Sequence, residues 1–308
     1  DIAFHYAQAG NSEKAAKFAM VAGQDALARF SNVEAINHFK YVLDIVADSH
    51  QDADKRSLAL EGLGDSYFAN CNYKEALEVF ERLSVSETGK VKLRVFRKAM
   101  DAVYFGTHDP DHFMELIRKA EPYAAFDRLE SARIRFHKGN TFPYEKRATE
   151  IEEALRIFEE EYSLPDVSRA LSALGTVSVL INSFKKGLIA ILRAINLCEE
   201  LSDLPELIRP TFGLAFALYF HGFFEESEKN CIKAIQIGER IGPRVYGAMI
   251  RSSMVSSWAL EEMGRLEEAL SASFKAIEYL QRVSDSKKDT DILGQIYTGF
   301  VRQYVKLG

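Results

Sequence analysis

His108 and His112 flank Asp109 and Asp111, a set of nitrogen and oxygen donors that invites a metal ion. Two histidine ligands on one helix need a continuous face at i, i+4 spacing. Asp109-Pro110 instead reads as an N-cap and first helical residue, which breaks that face between them. No metal site is expected there. Gly62-Leu63-Gly64 imitates part of a phosphate-cradling loop, but it falls inside an apolar helical stripe, and the sequence contains no GxxxxGK(S/T). Cys71, Cys198 and Cys231 have no basic or histidine neighbour in sequence and form no CxxC, so small apolar packing is their expected role. The acidic pairs Glu225-Glu226 and Glu267-Glu268 are adjacent and so point in different directions on a helix. They open helices, where negative charge favours the dipole. The chain is therefore expected to be no enzyme and to need neither metal nor cofactor.

Recognition chemistry has a better candidate. Arg169, Arg209 and Arg251 are spaced 40 and 42 residues apart. Near them stand Phe212, Phe216, Tyr219, Phe220, Met254 and the only tryptophan, Trp258. Arginine grips carboxylates bidentately, while Trp and Tyr supply rigid contact area. The structural alternative is that the phenylalanines are packing and that the arginines pair with neighbouring glutamates.

The elements that would position these residues follow from the totals and from repetition. A chain of 308 residues without a linker-like stretch is either one large domain or a repeat array. Only 7 prolines and 18 glycines, with abundant Ala, Leu, Glu and Lys, lean toward helix. The net charge of -6 offers no overall surplus for binding nucleic acid. No segment approaches the ~18 uninterrupted apolar residues of a membrane helix, and no signal peptide is visible. The odd, scattered cysteines predict a reducing, cytoplasmic setting. Ile2-Ala3-Phe4-His5-Tyr6 already reads as mid-helix, which predicts a piece of a longer protein.

Arg193-Ala194-Ile195, Lys233-Ala234-Ile235 and Lys275-Ala276-Ile277 recur at 40 and 42 residues. Each is preceded by a similar entry: Asn182-Ser183-Phe184, Gly222-Phe223-Phe224 and Gly264-Arg265-Leu266. Gly10-Asn11-Ser12 and Asn72-Tyr73-Lys74 repeat it earlier. A small or polar residue ends one helix in a tight turn, where left-handed geometry is often needed, and the next helix opens at once. Leu60, Leu63, Gly64 and Tyr67 form the stripe of a first helix, and Ala76, Phe80 and Leu83 that of a second. A glycine inside a helix costs roughly 1 kcal/mol and is tolerated where another helix passes close by.

Leu60, Leu63, Gly64, Tyr67, Ala76 and Phe80 resemble the tetratricopeptide repeat signature, and Ser57–Lys90 has its 34-residue length. The resemblance implies an all-α, right-handed α-α superhelix of antiparallel helix pairs, here with about fifteen helices. One repeat domain over 1–308 is expected. It divides into entry helices at 1–56, the best-matching unit at 57–90, divergent repeats at 91–162, three long repeats at 163–287 and a capping helix at 288–308, centred on Thr290–Lys306. The long units should carry longer second helices, and Gly139–Glu145 should be an extended loop.

A looser likeness concerns the first 45 residues or so. His5-Tyr6-Ala7-Gln8-Ala9-Gly10, Lys14-Ala15-Ala16-Lys17-Phe18 and Glu34-Ala35-Ile36-Asn37-His38-Phe39 are similar to the entry of the helical sensor arm of STAND-type signal-transduction ATPases and transcription regulators. That resemblance implies a regulatory arm attached to an ATPase module.

In the tetratricopeptide family the first helix of each pair lines the concave groove. The resemblance therefore implies a ligand wall of Arg169, Arg209, Phe212, Phe216, Tyr219, Arg251, Met254 and Trp258, taking a protein or peptide partner or a small effector. Ser172 and Thr176, or Phe212 and Phe216, stand where the Lys and Asn of a chaperone-tail carboxylate clamp would fall, so that partner is not expected. Neither nucleic acid nor membrane is an expected partner. A free-standing scaffold that binds a partner peptide or self-associates is the alternative.

Overall fold

The computed structural model describes residues 2–46, 52–107, 109–242 and 245–282, with single positions between 294 and 306. The described chain is helical, in the order α1 (Ile2–Gln8), α2 (Ser12–Ala28), α3 (Asn32–Ile45), α4 (Ala53–Ala69), α5 (Tyr73–Ser86) and α6 (Gly89–Ala102). A π-helical turn at Val103–Thr107 leads to α7 (Pro110–Ala120), and a 3-10 turn at Glu121–Phe126 to α8 (Arg128–Gly139). There follow α9 (Tyr144–Glu160), α10 (Leu164–Leu180), α11 (Phe184–Glu200), α12 (Leu204–Phe220), α13 (Phe224–Ile241), α14 (Tyr246–Glu262) and α15 (Leu266–Arg282). The expected capping helix lies largely outside the described residues, and the described positions between Gly294 and Lys306 are helical.

Two compact units divide the chain, Asp1–Ser131 and Ala132–Gly308. The loop expected at Gly139–Glu145 is shorter than the sequence suggested, because α8 runs through Gly139 and α9 begins at Tyr144. Second helices α11, α13 and α15 have 17, 18 and 17 residues against 14 in α5.

One turn recurs along the chain. The residue after the helix-ending position is left-handed, at Gly10, Phe30, Cys71, Tyr162, Asn182, Ser202, Gly222 and Gly264. The next amide then reaches back five residues. Asn72 N–H donates to the Tyr67 carbonyl at 2.9 Å, Ser183 to Ser178 at 2.7 Å, Phe223 to Leu218 at 3.0 Å and Arg265 to Leu260 at 2.9 Å. This closure satisfies carbonyls that the helix end would otherwise orphan. In the 57–90 unit the left-handed residue is Cys71, one before the Asn72 that the entry pattern singles out.

Tyr162, at φ 54° and 85% exposed, occupies this position without packing that would offset the conformation. Left-handed backbone costs an L-residue roughly 1–2 kcal/mol, and glycine avoids that cost. Tyr162→Gly is therefore expected to raise the unfolding free energy by about 1 kcal/mol, read as a higher urea midpoint at unchanged slope.

Packing within each unit is close at its small residues. In the first unit a Cβ on Gly64 would lie 2.4 Å from the Phe80 ring, so glycine lets α4 sit against a fully buried phenylalanine. In the second unit α10 and α11 meet backbone to backbone, with a Cβ on Gly187 falling 2.7 Å from the Gly175 carbonyl oxygen. The core of this unit gathers Val179, Ile191, Ile195, Ile208, Ile235 and Met249. Cys198 and Cys231 are buried, and burial pushes both thiols up, against a Ser168–Cys198 hydrogen bond in the first case.

Successive second helices of this unit are joined by a regular exposed ladder. Arg193 pairs with Glu159 at 2.7 Å, Lys233 with Glu199 at 3.7 Å and Lys275 with Glu239 at 3.2 Å. Exposed pairs of this kind are worth about 0–1 kcal/mol each, so they record helix register more than they stabilise it.

Candidate functional site: the first-helix wall of α10, α12 and α14

Two of the wall's helices, α10 and α12, open with the same short sequence element. Leu164-Pro165-Asp166 opens α10 and Leu204-Pro205-Glu206 opens α12. Proline suits the first turn, where its missing N–H has no helical partner to lose, and the acid beside it sits at the positive end of the dipole. Ser163 Oγ donates to Asp166 at 2.6 Å, and Asp203 accepts from the Glu206 amide at 3.1 Å.

Three residues past each acid comes an arginine, Arg169 and then Arg209. Arg133 holds the matching place in α8 and Arg251 in α14. Arg133 and Arg169 each reach the carboxylate at the start of the next first helix. Arg133 donates to Asp166 through Nε at 2.9 Å and Nη2 at 2.7 Å. Arg169 Nη2 donates to Glu206 Oε1 at 3.0 Å. Burial alone would raise the Asp166 pKa, but the hydrogen bonds from Arg133 and Ser163 outweigh it and hold the carboxyl below its ordinary value.

The series changes between α12 and α14. Ala248 stands where Asp166 and Glu206 stand in the preceding helices. Arg209 turns to its own helix, with Nε 3.4 Å from Glu206 Oε2, so Arg169 and Arg209 share one carboxylate. Arg209 and Arg251 are both exposed. Arg133 and Arg169 thus end on the carboxylate of the next first helix, and Arg209 on that of its own.

Beyond the arginines the wall is aromatic. Phe212, Phe216 and Phe220 follow at i, i+4 and i+8 along α12, with ring centroids 6.0 Å and then 4.6 Å apart. Tyr219 bridges to Trp258 of α14 at 5.8 Å. Phe212, Phe216, Tyr219 and Trp258 are half-buried over Ala215, Cys231 and Val255, and Phe220 is 53% exposed. Seven of the eight residues expected on the wall thus offer surface. Met254 does not, because it is buried in the core. Asp166, Glu206 and Arg133 were missed by sequence reading. Their signal was present in the repeated Leu-Pro-acid element and in the constant three-residue step from acid to arginine.

The first unit differs in its first-helix charges. Arg94 grips Glu61 at 2.7 and 2.8 Å, Lys98 bridges Glu61 and Asp65 at 2.7 Å each, and Arg97 joins Glu130 at 2.8 Å and Asp101 at 2.6 Å. Burial would raise the Glu61 pKa, but Arg94 and Lys98 bring it down to about 2, whereas burial raises that of Asp65. Here three cations meet four carboxylates and no positive surplus arises.

Other candidate chemistry is saturated or unsupported. His112 Nε2 lies 2.8 Å from Glu81, and His108 is outside the described residues. The Asp109 side chain accepts from the amides of Asp111 and His112, with Pro110 opening α7. No metal-binding cluster and no helix long and apolar enough to cross a membrane occurs among the described residues. A cavity of about 300 Å³ is lined by Glu239, Tyr246, Lys275, Glu278, Tyr279 and Arg282. Its polar groups engage one another, with Tyr279 Oη donating to Glu239 at 2.9 Å.

No family model and no curated protein sequence matches the chain. Solved structures do. A Rap protein complexed with Competence and Sporulation Factor is similar over 96% of this chain and 87% of its own, at 12% identity and a TM-score of 0.68. The apo form of RapI covers 94% and 84%, at 11% identity and a TM-score of 0.57. Aspartyl phosphate phosphatase F from Bacillus subtilis covers 94% and 84%, at 14% and 0.50. At these identities the likeness is one of fold, an all-α superhelix of tetratricopeptide-like helix pairs.

Proposed function

We propose that this chain is a non-catalytic interaction module that receives a protein or peptide segment on the first-helix wall of α10, α12 and α14. The observation that carries the reading is an accessible wall of arginines and aromatic rings contributed by consecutive repeats. Fixed helices position it. The similar Rap structure holds Competence and Sporulation Factor, which supports binding as the use of such a fold. Charge reversal at Arg209 and Arg251 (R209E/R251E) is expected to weaken capture of partners by the immobilised chain while leaving the melting temperature unchanged. Lost stability with retained capture would make these arginines structural braces and end the reading.

The finer proposal is a regulatory arm of a larger cytoplasmic signalling ATPase or transcription regulator, with the wall's occupancy passed to the attached module. It rests on the resemblance of the first 45 residues or so to such sensor arms. Reading the gene upstream of Asp1 tests it. An initiator codon close by, with no P-loop sequence before Asp1, would favour the free-standing scaffold instead.

A further inference from the structure

The exposed side of the second helices carries a pattern that the first-helix wall does not use. Leu192 of α11, Ile232 of α13 and Phe274 of α15 recur at 40 and 42 residues, and each is between 42% and 51% exposed. Ile189, one turn before Leu192, is exposed as well. Apolar residues exposed singly need no explanation, but one position repeated on three second helices makes a stripe across them.

Charge is laid out evenly about this stripe. Lys185 lies seven residues before Leu192, and Glu200 lies eight after it. Glu225 lies seven before Ile232, and Arg240 lies eight after it. All four are exposed, and among the described residues none of them has an ion pair. Steps of four, three, four and four residues lead from Lys185 through Ile189, Leu192 and Asn196 to Glu200, which keeps them on one face of α11. The same steps lead from Glu225 to Arg240 on α13. On this face α11 therefore runs from a cation to an anion, and α13 from an anion to a cation.

We propose that this face pairs with the same face of a second copy of the chain, α11 on α11 and α13 on α13, antiparallel, about a two-fold axis that follows the stripe. Turning each helix end for end about its stripe residue brings Lys185 onto Glu200 of the second copy, and Glu225 onto Arg240 of the second copy. Leu192 and Ile232 then meet their own counterparts at the axis, in a closed, isologous contact. Parallel pairing of α13 sets Glu225 on Glu225 and Arg240 on Arg240. A uniformly acidic or basic partner meets like charge at one end of each helix. Only the reversed copy meets opposite charge at both ends. The cations one residue past the stripe, Arg193, Lys233 and Lys275, are already held by Glu159, Glu199 and Glu239. Helices of 17 and 18 residues are about 26 Å long, and three abreast at roughly 8–10 Å offer on the order of 700 Å² per copy. A standard stable interface takes about 800 Å² per partner.

Sedimentation velocity of the full chain from about 1 to 100 μM tests the proposal, and a reversible dimer is the expected result. I232E sets two carboxylates together at the axis and should weaken that dimer by at least about tenfold. K185E and E200K should each weaken it by about threefold or more, because each sets like charges together at both ends of α11. The double variant K185E/E200K should restore it, since the exchanged charges again oppose. These positions are exposed, so the melting temperature of each variant is expected to stay unchanged. A chain monomeric over the whole range would overturn the proposal and leave the face to a foreign partner or to solvent. A dimer indifferent to I232E, or a K185E/E200K double no stronger than its single variants, would overturn it as well.

Discussion

Gly187→Val is expected to destabilise the second unit by about 3 kcal/mol or more, near or beyond the upper end of typical overpacking costs. The reason is backbone contact. A Cβ at residue 187 would lie 2.7 Å from the Gly175 carbonyl oxygen, 3.0 Å from a Val179 methyl and 3.3 Å from the Ser178 Cβ. A flexible side chain could swing away, but the carbonyl belongs to α10 itself, so the two helices must part. Gly187→Ala should destabilise less, since the helix-propensity gain of about 1 kcal/mol offsets part of the clash. Gly213 provides the control on a neighbouring helix. A Cβ there has Thr176 Oγ1 at 3.3 Å and Ile191 atoms at 3.6 Å and beyond, so Gly213→Ala should fall near neutrality. Urea unfolding of the three variants ranks them. Equal stability of Gly187→Val and wild type would mean that α10 and α11 do not pack at this distance.

Arg133→Leu should cost about 3 kcal/mol at neutral pH, the lower end for breaking a buried pair, because the Arg133 side chain is 27% exposed while that of Asp166 is 9% exposed. The carboxylate left behind loses its main compensation, although Ser163 still donates to it. In the wild type the folded Asp166 pKa lies below its ordinary 3.8. Its contribution is therefore fully present above that value and disappears as pH falls through the folded pKa. In the variant, burial dominates and raises the folded pKa above the unfolded one. Protonation then relieves the buried charge, so the variant gains relative stability as pH falls toward 3.8. The stability gap between the two proteins is expected to narrow on acidification. A gap that stays constant from neutral pH down to the acid limb would show that Asp166 is not held by Arg133.

These two outcomes bear on the wall as well as on stability. The Asp166 rung and the Gly175–Gly187 contact fix α10 against its neighbours, and α10 is the helix on which Arg169 is carried. Variants that loosen either contact should move Arg169 relative to Glu206. The R209E/R251E pair lies on the exposed side and should leave both contacts intact.

What the sequence by itself determined is the part of the structure written in short-range physics. The 3.6-residue stripes through Leu60, Leu63 and Gly64, or Ala269, Ser273 and Ala276, dictate helices and their buried sides. Gly10, Asn182, Gly222 and Gly264 mark turns because left-handed backbone suits those residue types. Asp109-Pro110 starts a helix for equally local reasons. Tertiary structure decided which side chains meet. Arg133 and Asp166 are 33 residues apart, and Arg169 and Glu206 are 37 apart, so their pairing depends on how one helix registers against another. Met254 and Arg251 are one helical turn apart, and only the packing of α14 makes the first core and the second surface. Left-handed Phe30 and Tyr162 were also beyond sequence reading, because no residue preference predicts an aromatic there. The turn's closing hydrogen bonds impose that conformation on whichever residue stands in place. Periodicity specifies a helix's faces, whereas the choice of partner across those faces is made by packing distances that single-helix patterns do not contain.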